Sequence, residues 1–327
     1  MRVLVTGGSG FIGSHVVDQV VAAGHEARNL DVRPSPYVDP ADVPTIEGDL
    51  CDPEVARRAV DGCDAVLHLA AMADVDIVAK DPVETDRVNT RGTHSLLEAA
   101  REAGVSRFVY ASTVWVYGDA TGPEAIDEDT PLPLPKHFYT ATKIAGEMYT
   151  RTYGELYGLD HTILRFGIPY GPRARPAAVV PAFVAKALAG QPLTIAGDGM
   201  QSRRFVYVED LAAGVVAALK PEASGRVYNL VGTESTSIRA IARTVKDVIG
   251  DVSIVHVEGR AGDLKGANIS GERARVELGW EPTTSFADGV RRYVDWLTET
   301  AGTPTAATAS STDGTAAAVR RQESAEL

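Results

Sequence analysis

The sequence contains little of what marks a secreted, membrane-spanning or nucleic-acid-binding protein. Of its 327 residues only Cys51 and Cys63 are cysteines, and they lack the spacing of metal ligands, so we expect neither a disulfide framework nor a metal site. No apolar run approaches the roughly 20 residues that cross a bilayer, and Met1–Val5 does not begin a hydrophobic leader segment. Lysine and arginine number 32 against 44 aspartates and glutamates, a net charge of −12, which repels nucleic acids and anionic membranes. We therefore expect a cytoplasmic protein with no nucleic-acid or membrane partner.

What is present is the composition of an ordinary globular protein, with 44% hydrophobic and 23% charged residues. Short apolar runs alternate with stretches in which apolar residues recur every three or four positions, the patterns of buried strands and of helices. Such alternation predicts an α/β fold with a parallel sheet covered on both faces. The predicted strands are Val3–Val5, Ala27–Leu30, Val66–Leu69, Phe108–Tyr110, Thr162–Phe166 and Arg226–Leu230. The predicted helices among them are Ile12–Ala23, Val55–Val60 and Val88–Ala103.

The sequence pattern changes after Phe166, where the regular alternation of strands and helices ends. Five prolines between residues 169 and 192 exclude a long regular helix there, and later come a helix (Ile238–Ile249), a strand (Ser253–Val257) and a closing helix (Phe286–Leu297). The last residues are rich in Ala, Thr and Ser without an aromatic side chain, a composition that cannot offset the entropy of ordering. We therefore predict a dinucleotide-binding domain of residues 1–167 with 205–231, a smaller lobe of residues 168–204 with 232–300, and a disordered tail of residues 301–327.

A glycine-rich loop follows the first predicted strand and opens the first predicted helix; it reads Thr6-Gly7-Gly8-Ser9-Gly10-Phe11-Ile12-Gly13. In such a loop Gly7 permits the tight turn, Gly10 lets the backbone approach a pyrophosphate, and Gly13 lets the helix pack close to the strand. The N–H groups of Phe11 and Ile12 at the helix N-terminus then face the phosphates. The alternative is a glycine-rich turn without a ligand, which the flanking strand and helix disfavour.

Two acidic residues are candidates for the adenosine end of the dinucleotide. Asp31 ends the second predicted strand, 18 residues after Gly13, where a carboxylate accepts hydrogen bonds from the ribose hydroxyls and repels a 2′-phosphate. This favours NAD over NADP, although Arg33 nearby works against it. Asp49, in Gly48-Asp49-Leu50, is expected to follow a further strand, the third of the sheet in chain order, to which no bounds are given. It is placed to meet the adenine amino group; alternatively it is a helix cap or turn residue.

The candidate catalytic residues are Thr113, Tyr139 and Lys143. Tyr139 and Lys143 are four residues apart, hence on one face of a helix, and we expect the ammonium group to lower the pKa of the phenol. The phenolate then takes a proton from a sugar or alcohol hydroxyl while hydride leaves the same carbon. Thr113 is expected at the end of the strand that includes Phe108–Tyr110, the fifth of the sheet when the strand before Asp49 is counted. Parallel sheets build their sites at such strand ends, and the Thr113 hydroxyl is placed to bind the reacting oxygen. Tyr139 and Lys143 on their own are also compatible with a chance pair on a helix surface.

These motifs together resemble the extended short-chain dehydrogenase/reductases, and among them the NAD-dependent epimerase/dehydratase family of nucleotide-sugar enzymes. The resemblance covers residues 1–298 and includes the sequences TGGSGFIG (6–13), GDL (48–50), HLAA (68–71), STVWVYG (112–118), YTATK (139–143), RFGIPYGP (165–172), GDGMQSRRFVYVEDLA (197–212), RAGD (260–263) and LGWEP (278–282). It implies a Rossmann-like, doubly wound sheet with an interleaved C-terminal substrate lobe, and NAD as cofactor. It further implies that NAD contacts Leu50, Leu69, Ala70, Ala71, Asn89, Tyr139, Lys143 and Phe166. The nucleotide-sugar is expected to contact Thr113, Tyr139, Ile168, Arg175, Arg203 and Arg260, with the last two arginines on the diphosphate.

Val114 and Trp115 bear on which reaction the chain catalyses. The resembling 4,6-dehydratases carry an acidic pair directly after the Ser/Thr, and the UDP-glucuronate decarboxylases carry a glutamate two residues after the Ser/Thr. In this chain those two positions are Val114 and Trp115, and neither side chain can transfer a proton. The residues present suffice for a 4-epimerase, which oxidises the sugar at C4 and returns hydride to the other face. Two alternatives stay open: a 4-ketoreductase or dehydrogenase of the same family, which releases its cofactor, and a non-catalytic NAD sensor.

The substrate is expected to be a nucleotide-diphosphate sugar, either UDP-glucose/UDP-galactose or UDP-glucuronate/UDP-galacturonate. Residues 161–204 carry five arginines and one lysine against one aspartate, which suits a diphosphate; a solvated loop is the alternative. In the resembling UDP-glucuronate 4-epimerases an arginine at the position of Arg175 faces the C6 carboxylate, and a buried carboxylate needs such a partner. Ile168 and Ser270 replace an asparagine and an aspartate that are usual in the family.

The resemblance also implies a homodimer. The helices around residues 84–103 and 140–157 correspond to the pair that usually forms a four-helix interface in these enzymes. Their apolar residues are Leu96, Leu97, Ala99 and Ala100 on the first, and Ile144, Met148, Tyr149 and Tyr153 on the second. Alternatively, both helices simply pack on the sheet of their own chain.

Overall fold

The computed structural model describes residues 1–118, 125–258 and 268–302. Its strands are β1 (Arg2–Thr6), β2 (Glu26–Asp31), β3 (Thr45–Glu47), β4 (Ala65–His68), β5 (Arg107–Thr113), β6 (His161–Phe166), β7 (Ile168–Tyr170), β8 (Leu193–Ala196), β9 (Ser202–Tyr207), β10 (Arg226–Leu230), β11 (Ser235–Ser237) and β12 (Ile254–Val257). Seven of them form one sheet in the order β10-β6-β5-β4-β1-β2-β3, with all pairs parallel. The α/β fold with a doubly wound sheet is therefore confirmed, and the strand order reverses between β1 and β4, the place where such sheets bind ligands.

Helices cover both faces of this sheet. The α-helices among the described residues are α1 (Phe11–Ala22), α2 (Pro53–Val60), α3 (Val75–Lys80), α4 (Pro82–Asp86), α5 (Gly92–Glu102), α6 (Phe138–Tyr157), α7 (Val179–Leu188), α8 (Val208–Ala217), α9 (Ile238–Ile249) and α10 (Phe286–Gly302). In β1, Val3 and Val5 pack with α1 and α8, whereas Leu4 packs with α2 and α5 on the other face. Because successive side chains of a strand point to opposite faces, a strand buried on both faces is apolar throughout. This is why the short apolar runs predicted the strands well.

The helix predicted over Val88–Ala103 has a wider first turn. Residues Arg87–Arg91 form a π-helical turn that runs directly into α5 and contains the buried Asn89. The apolar residues expected on the dimer face of this helix lie instead in the core of their own chain, because they pack under the sheet: Leu96, Leu97, Ala99 and Ala100 are at most 3% exposed. That part of the dimer prediction is wrong. On α6, in contrast, Met148 is 60% exposed and Tyr149 38% exposed.

A second apolar core lies in the C-terminal half. There Val184 of α7, Ile195 of β8, Ile241 of α9 and Val290 of α10 pack together. Two small sheets accompany this core, with strand orders β11-β9-β7 and β12-β8. The proline-rich stretch includes the ten-residue α7, and Pro181 is its third residue, in the first turn where a backbone N–H is not needed.

The predicted boundary between the dinucleotide-binding domain and the smaller lobe falls within β9. This strand crosses the boundary predicted between residues 204 and 205. The predicted disordered tail of residues 301–327 lies outside the described residues from 303 onward. Within the described ranges, the helices are too short or too polar to cross a membrane.

Candidate active site

The glycine-rich loop joins β1 to α1 at the carboxyl edge of the sheet. Gly7 has a φ of 73°, which residues with a side chain rarely adopt. A Cβ on Gly13 would lie 2.1 Å from the carbonyl oxygen of Gly7, so the first turn of α1 packs directly on the loop. A Cβ on Gly10 would meet only that oxygen among the described residues, at 3.1 Å, and would otherwise fill the space beside the loop.

The open space beside Gly10 faces the start of α1. Gly10 is the N-cap of this helix and offers no side-chain acceptor, so the N–H groups of Phe11 and Ile12 begin the helix without a side-chain cap. An uncapped helix N-terminus attracts anions. The cradle left by Gly10 therefore fits the pyrophosphate of a dinucleotide.

Asp31 lies beside this loop at the end of β2. Its Oδ2 accepts the N–H of Ser9 at 3.0 Å. The Ser9 hydroxyl in turn donates to the carbonyl of Arg33 at 2.9 Å and accepts from Asn29 at 2.9 Å. The carboxylate is thus held next to the phosphate cradle, where the ribose of a dinucleotide lies in this type of fold. The Arg33 side chain is exposed.

The Asp49 carboxylate is engaged by neighbouring groups of the protein, although its side chain is 41% exposed. Its Oδ1 accepts the N–H of Cys51 at 2.9 Å, and its Oδ2 accepts from Arg87 at 2.6 Å. Although burial works against the charge, these partners lower the pKa of Asp49. In the structure Asp49 thus has the alternative role given above, that of a turn residue. Leu50 is buried and packs so closely on Gly92 that a Cβ there would be 2.2 Å from its Cδ1.

A buried chain of hydrogen bonds joins the strand ends. Thr6 Oγ1 accepts the N–H groups of Leu69 (3.2 Å) and Ala70 (3.1 Å) and lies 2.7 Å from His68 Nδ1. On the other side of the ring, His68 Nε2 lies 2.9 Å from Thr93 Oγ1, which donates to the Asn89 carbonyl at 2.6 Å. The backbone of β4 and of the segment after it is therefore fixed against β1.

Asn89 extends this network towards α6. Its side chain accepts the N–H of Met72 at 2.7 Å and donates to the Met72 carbonyl at 2.9 Å and to Thr142 at 3.1 Å. Because these bonds occupy both ends of the buried amide, we infer that Asn89 shapes the site through the backbone that continues from Ala71. Its predicted role in lining the cofactor site would be exerted through that backbone.

Thr113, Tyr139 and Lys143 converge next to this segment. Thr113 is the last residue of β5, and its hydroxyl accepts the N–H of Trp115 at 3.3 Å, which begins a 3₁₀ turn over Val114–Tyr117. Tyr139 is the second residue of α6, and the Trp115 ring meets its ring edge-on with centroids 6.2 Å apart. Lys143, one turn further on, donates to the Ala111 carbonyl at 2.8 Å.

The expected effect of Lys143 on Tyr139 is not what the structure shows. Burial raises the pKa of Tyr139, and the positive charge that opposes it is that of Arg175. The Lys143 Nζ lies 6.0 Å from the centre of the Tyr139 ring, and it is bonded to a carbonyl instead of the phenol oxygen. Burial lowers the pKa of Lys143 itself to about 8. The predicted lowering by Lys143 is therefore wrong for the chain without ligands, because desolvation outweighs a charge at that distance.

The basic residues of the stretch 161–204, Arg165 among them, were expected to suit a diphosphate, and they do not form one patch. Arg165 is buried against Glu147, Arg173 pairs with Asp18 at 2.7 Å and lies over the Tyr37 ring, and Arg204 donates to Gly232, Thr233 and Asn268. The Arg165 prediction is wrong, because this side chain projects from β6 into the protein interior.

The remaining predicted substrate residues are spread along the second half of the chain. Arg175 forms an exposed ion pair with Asp74, the N-cap of α3, and Arg203 donates to the Ser202 carbonyl at 2.7 Å. Ile168 begins the half-buried part of β7, and Phe166 ends β6 in a buried position. Arg260 lies outside the described residues.

Several polar residues of this region have hydrogen-bonding roles that were not predicted from the sequence, although some of them lie in the motifs quoted above. They are Thr6, His68, Thr93, Ser112 and Glu147. The one signal available was their position, because Thr6, His68 and Ser112 stand at or next to strand ends, while Thr93 and Glu147 are polar residues on the inner faces of α5 and α6. In the described part of the chain, no three His, Cys, Asp or Glu side chains are placed to hold a metal ion.

Comparison with known proteins places these features in a family. The model of the NAD dependent epimerase/dehydratase family matches residues 3–231. The chain is 33% identical to a dTDP-glucose 4,6-dehydratase of Streptomyces niveus, over 90% of this chain and 92% of that protein. Its structure resembles a UDP-glucose 4-epimerase of Thermotoga maritima solved with UDP-glucose, with a TM-score of 0.86, 31% identity, and 92% and 100% of the two chains covered. A UDP-glucose 4-epimerase of Thermus thermophilus in complex with NAD gives a TM-score of 0.82, 36% identity, and 91% and 99% coverage.

Proposed function

This chain belongs to the NAD-dependent epimerase/dehydratase family, whose members act on nucleotide sugars with NAD as cofactor, and we propose that within it the protein is a 4-epimerase. The observation that carries the proposal is the pair Val114 and Trp115 directly after Thr113. The Trp115 ring lies against Tyr139, where a dehydratase needs side chains that move protons to eliminate water. Neither an indole nor an isopropyl group can act as a general acid or a general base.

The chain's own residues would hold NAD at one edge of the sheet. Gly10 and the N–H groups of Phe11 and Ile12 would receive the pyrophosphate, and Asp31 would accept from the adenosine ribose. The chemistry that NAD supplies when bound is reversible hydride transfer at its nicotinamide ring.

Tyr139 would act as the base and acid of this reaction. Its phenol oxygen would take the proton of the sugar's C4 hydroxyl as hydride leaves C4, and would give it back after the sugar has presented its other face. Because burial raises the pKa of Tyr139 in the chain alone, it needs nearby positive charge to act near neutral pH. Lys143 and Arg175 are cations beside it, and Thr113 would bind the reacting oxygen.

The experiment measures cofactor and products on the purified protein. We expect tightly bound NAD, and conversion of UDP-glucose or UDP-glucuronate to the 4-epimer without change of mass. A product that is lighter by one water from dTDP- or UDP-glucose would show a dehydratase and overturn the proposal. Stoichiometric release of oxidised or reduced cofactor with each turnover would instead show a ketoreductase or dehydrogenase.

The sugar is proposed to be a UDP-hexose or a UDP-hexuronate. Arg175 supports the hexuronate, since an arginine suits a C6 carboxylate, but it already pairs with Asp74. A substrate carboxylate would therefore have to replace Asp74 as its partner. Comparing both sugars on wild type and Arg175→Ala tests this: a selective loss on UDP-glucuronate supports the role, and an unchanged preference for UDP-glucose rules it out.

A homodimer through α6 remains part of the proposal. The support that remains is the row of exposed apolar side chains on this helix: Met148, Tyr149, Leu156 and Tyr157. Exposed apolar area of this kind commonly marks an interface.

A further inference from the structure

Glu147 lies one helical turn after Lys143 on α6 and forms a buried ion pair with Arg165. The two side chains are 3% and 2% exposed. Arg165 donates to both carboxylate oxygens, at 2.7 and 3.0 Å, and Ser112 donates to one of them at 2.6 Å. The carboxylate is thus fixed from β5 and β6 together, and it cannot turn towards solvent.

Arg165 is itself held in place on its other side. It donates to the Tyr117 hydroxyl at 2.8 Å, which donates to Asn229 of β10 at 2.8 Å. Burial works against the charge of Arg165, yet Glu147 and Tyr117 more than compensate, and the pKa of Arg165 is raised. The ion pair is therefore complete in hydrogen bonds, as a stable buried pair must be.

Lys143 is the buried cation that shares a helix face with Glu147. Residues four apart on a helix are neighbours, and the Lys143 Nζ is bonded to Ala111, the residue before Ser112. Burial lowers the pKa of Lys143, and the charge of Glu147 is the influence that raises it again. Two consecutive residues of β5, Ala111 and Ser112, thus position the lysine and its neighbouring carboxylate.

The other titratable groups around Lys143 do not supply a negative charge. Its Nζ lies 5.1 Å from the ring centre of Tyr110 on β5, and burial raises the pKa of both Tyr110 and Tyr139. On β4, burial and the charge of Lys143 lower the pKa of His68 to about 3, so the imidazole is neutral. Arg165 on β6 is positive, and at the mouth of the site Arg175 is already paired with Asp74.

We propose that Glu147, held in place by Arg165 and Ser112, is the counter-ion that keeps Lys143 protonated. Glu147 is then a positioning residue: it contacts neither substrate nor cofactor and acts through the ammonium group of Lys143. The catalytic role of Lys143 rests on the proposed function, whereas its charge does not. The test therefore begins with the charge.

The protonation of Lys143 can be followed directly by NMR. The sequence has seven lysines, and Lys143 is the only one of them that is buried among the described residues, so a [¹³Cε]lysine label gives few signals. Lys143→Met assigns the signal. We expect the Lys143 pKa to fall by about 1 unit or more in Glu147→Gln, since a neighbouring opposite charge raises a lysine pKa and its removal lowers it. Glu147→Asp keeps the charge and should recover most of the shift.

Two further variants separate charge from folding. Glu147→Gln leaves the buried charge of Arg165 without its ion-pair partner. The double variant Glu147→Gln/Arg165→Met removes both charges and is the variant to measure if the single variant does not fold. In it the Lys143 pKa should still fall, by less, because the opposing charge of Arg165 is gone too. Glu98→Gln is the matched control: it removes a carboxylate that contacts the far end of α6 through Tyr153, and it should leave Lys143 unchanged.

A second readout uses turnover. If Lys143 must be protonated for the reaction, the alkaline limb of kcat should move to lower pH in Glu147→Gln by the shift that NMR measures. A Lys143 pKa within 0.3 unit of wild type, in whichever of the Glu147→Gln variants folds, would overturn the proposal. If the Lys143 pKa shifts but the protein epimerises no sugar, Glu147 is still the counter-ion of Lys143, and the proposed 4-epimerase function is wrong.

Discussion

Replacing His68 by glutamine would measure how much of the acid sensitivity of this fold comes from one imidazole. His68 is 1% exposed and lies between two hydroxyl groups. Because Thr93 donates to the Asn89 carbonyl, its oxygen is left to accept from His68 Nε2–H, and Nδ1 is left to accept from Thr6. With one proton, on Nε2, the neutral ring forms hydrogen bonds with both Thr6 and Thr93. A second proton, on Nδ1, would point at a Thr6 oxygen that already accepts two N–H groups.

The size of the effect follows from the pKa values. Burial, with the charge of Lys143, lowers the pKa of His68 to about 3 in the folded chain, whereas an unfolded histidine titrates near 6.5. The unfolded chain therefore takes up this proton first as the pH falls, so the stabilisation is complete above about pH 6.5 and is lost towards about pH 3. The loss is about 1.4 kcal/mol per pH unit within that window, about 5 kcal/mol in all.

The assay is urea unfolding followed by circular dichroism at several values between about pH 7.5 and pH 4.5. We expect His68→Gln to be less stable near pH 7.5 by about 1 to 3 kcal/mol, because its hydrogen bonds are disturbed. Below about pH 6.5 the free energy of unfolding of this variant should then fall less steeply than that of the wild type. The slopes should differ by about the effect of one proton, about 1.4 kcal/mol per pH unit. His25→Gln, in the turn between α1 and β2, is measured alongside as the control for replacing a histidine by glutamine. Parallel curves for wild type and His68→Gln would refute the reasoning.

Four further outcomes are expected. Tyr139→Phe should lower turnover by about 10² or more while calorimetry still detects NAD binding; near-normal turnover would remove Tyr139 from the mechanism. Gly13→Ala should abolish NAD binding, because its Cβ would lie 2.1 Å from the Gly7 carbonyl oxygen; unchanged affinity in a titration would contradict the packing described. Asp31→Asn should weaken the preference for NAD over NADP in competition binding, and an unaltered preference would argue that another group selects the cofactor. Met148→Glu should convert a dimer to a monomer in light scattering, and a wild-type monomer would exclude the interface.

Local patterns were enough to predict a parallel sheet and to place six of its seven strands. The three-residue β3 was given no bounds, and β5 runs on to Thr113, three residues beyond the predicted Tyr110. A strand buried on both faces is apolar along its whole length, so β1, β4 and β5 stand out from their surroundings. The glycine-rich loop is readable for the same reason: the φ of Gly7 and the close packing of Gly13 are demands of the backbone over a few neighbouring residues. The spacing of Tyr139 and Lys143 is equally local, because one helical turn relates them.

What the sequence could not decide is which partner each polar side chain meets. Arg165 belongs to a run of basic residues that was expected to suit a diphosphate. The alternation of side chains along β6 turns it inward instead, where it pairs with Glu147, a residue 18 positions earlier in the chain. Leu96 and Leu97 were expected on an interface, but α5 turns them towards its own sheet. Lys143 was expected to act on Tyr139, and its ammonium group is bound by a carbonyl of β5 instead. Charge, burial and orientation depend on groups that are distant in sequence, so only the tertiary structure brings them together.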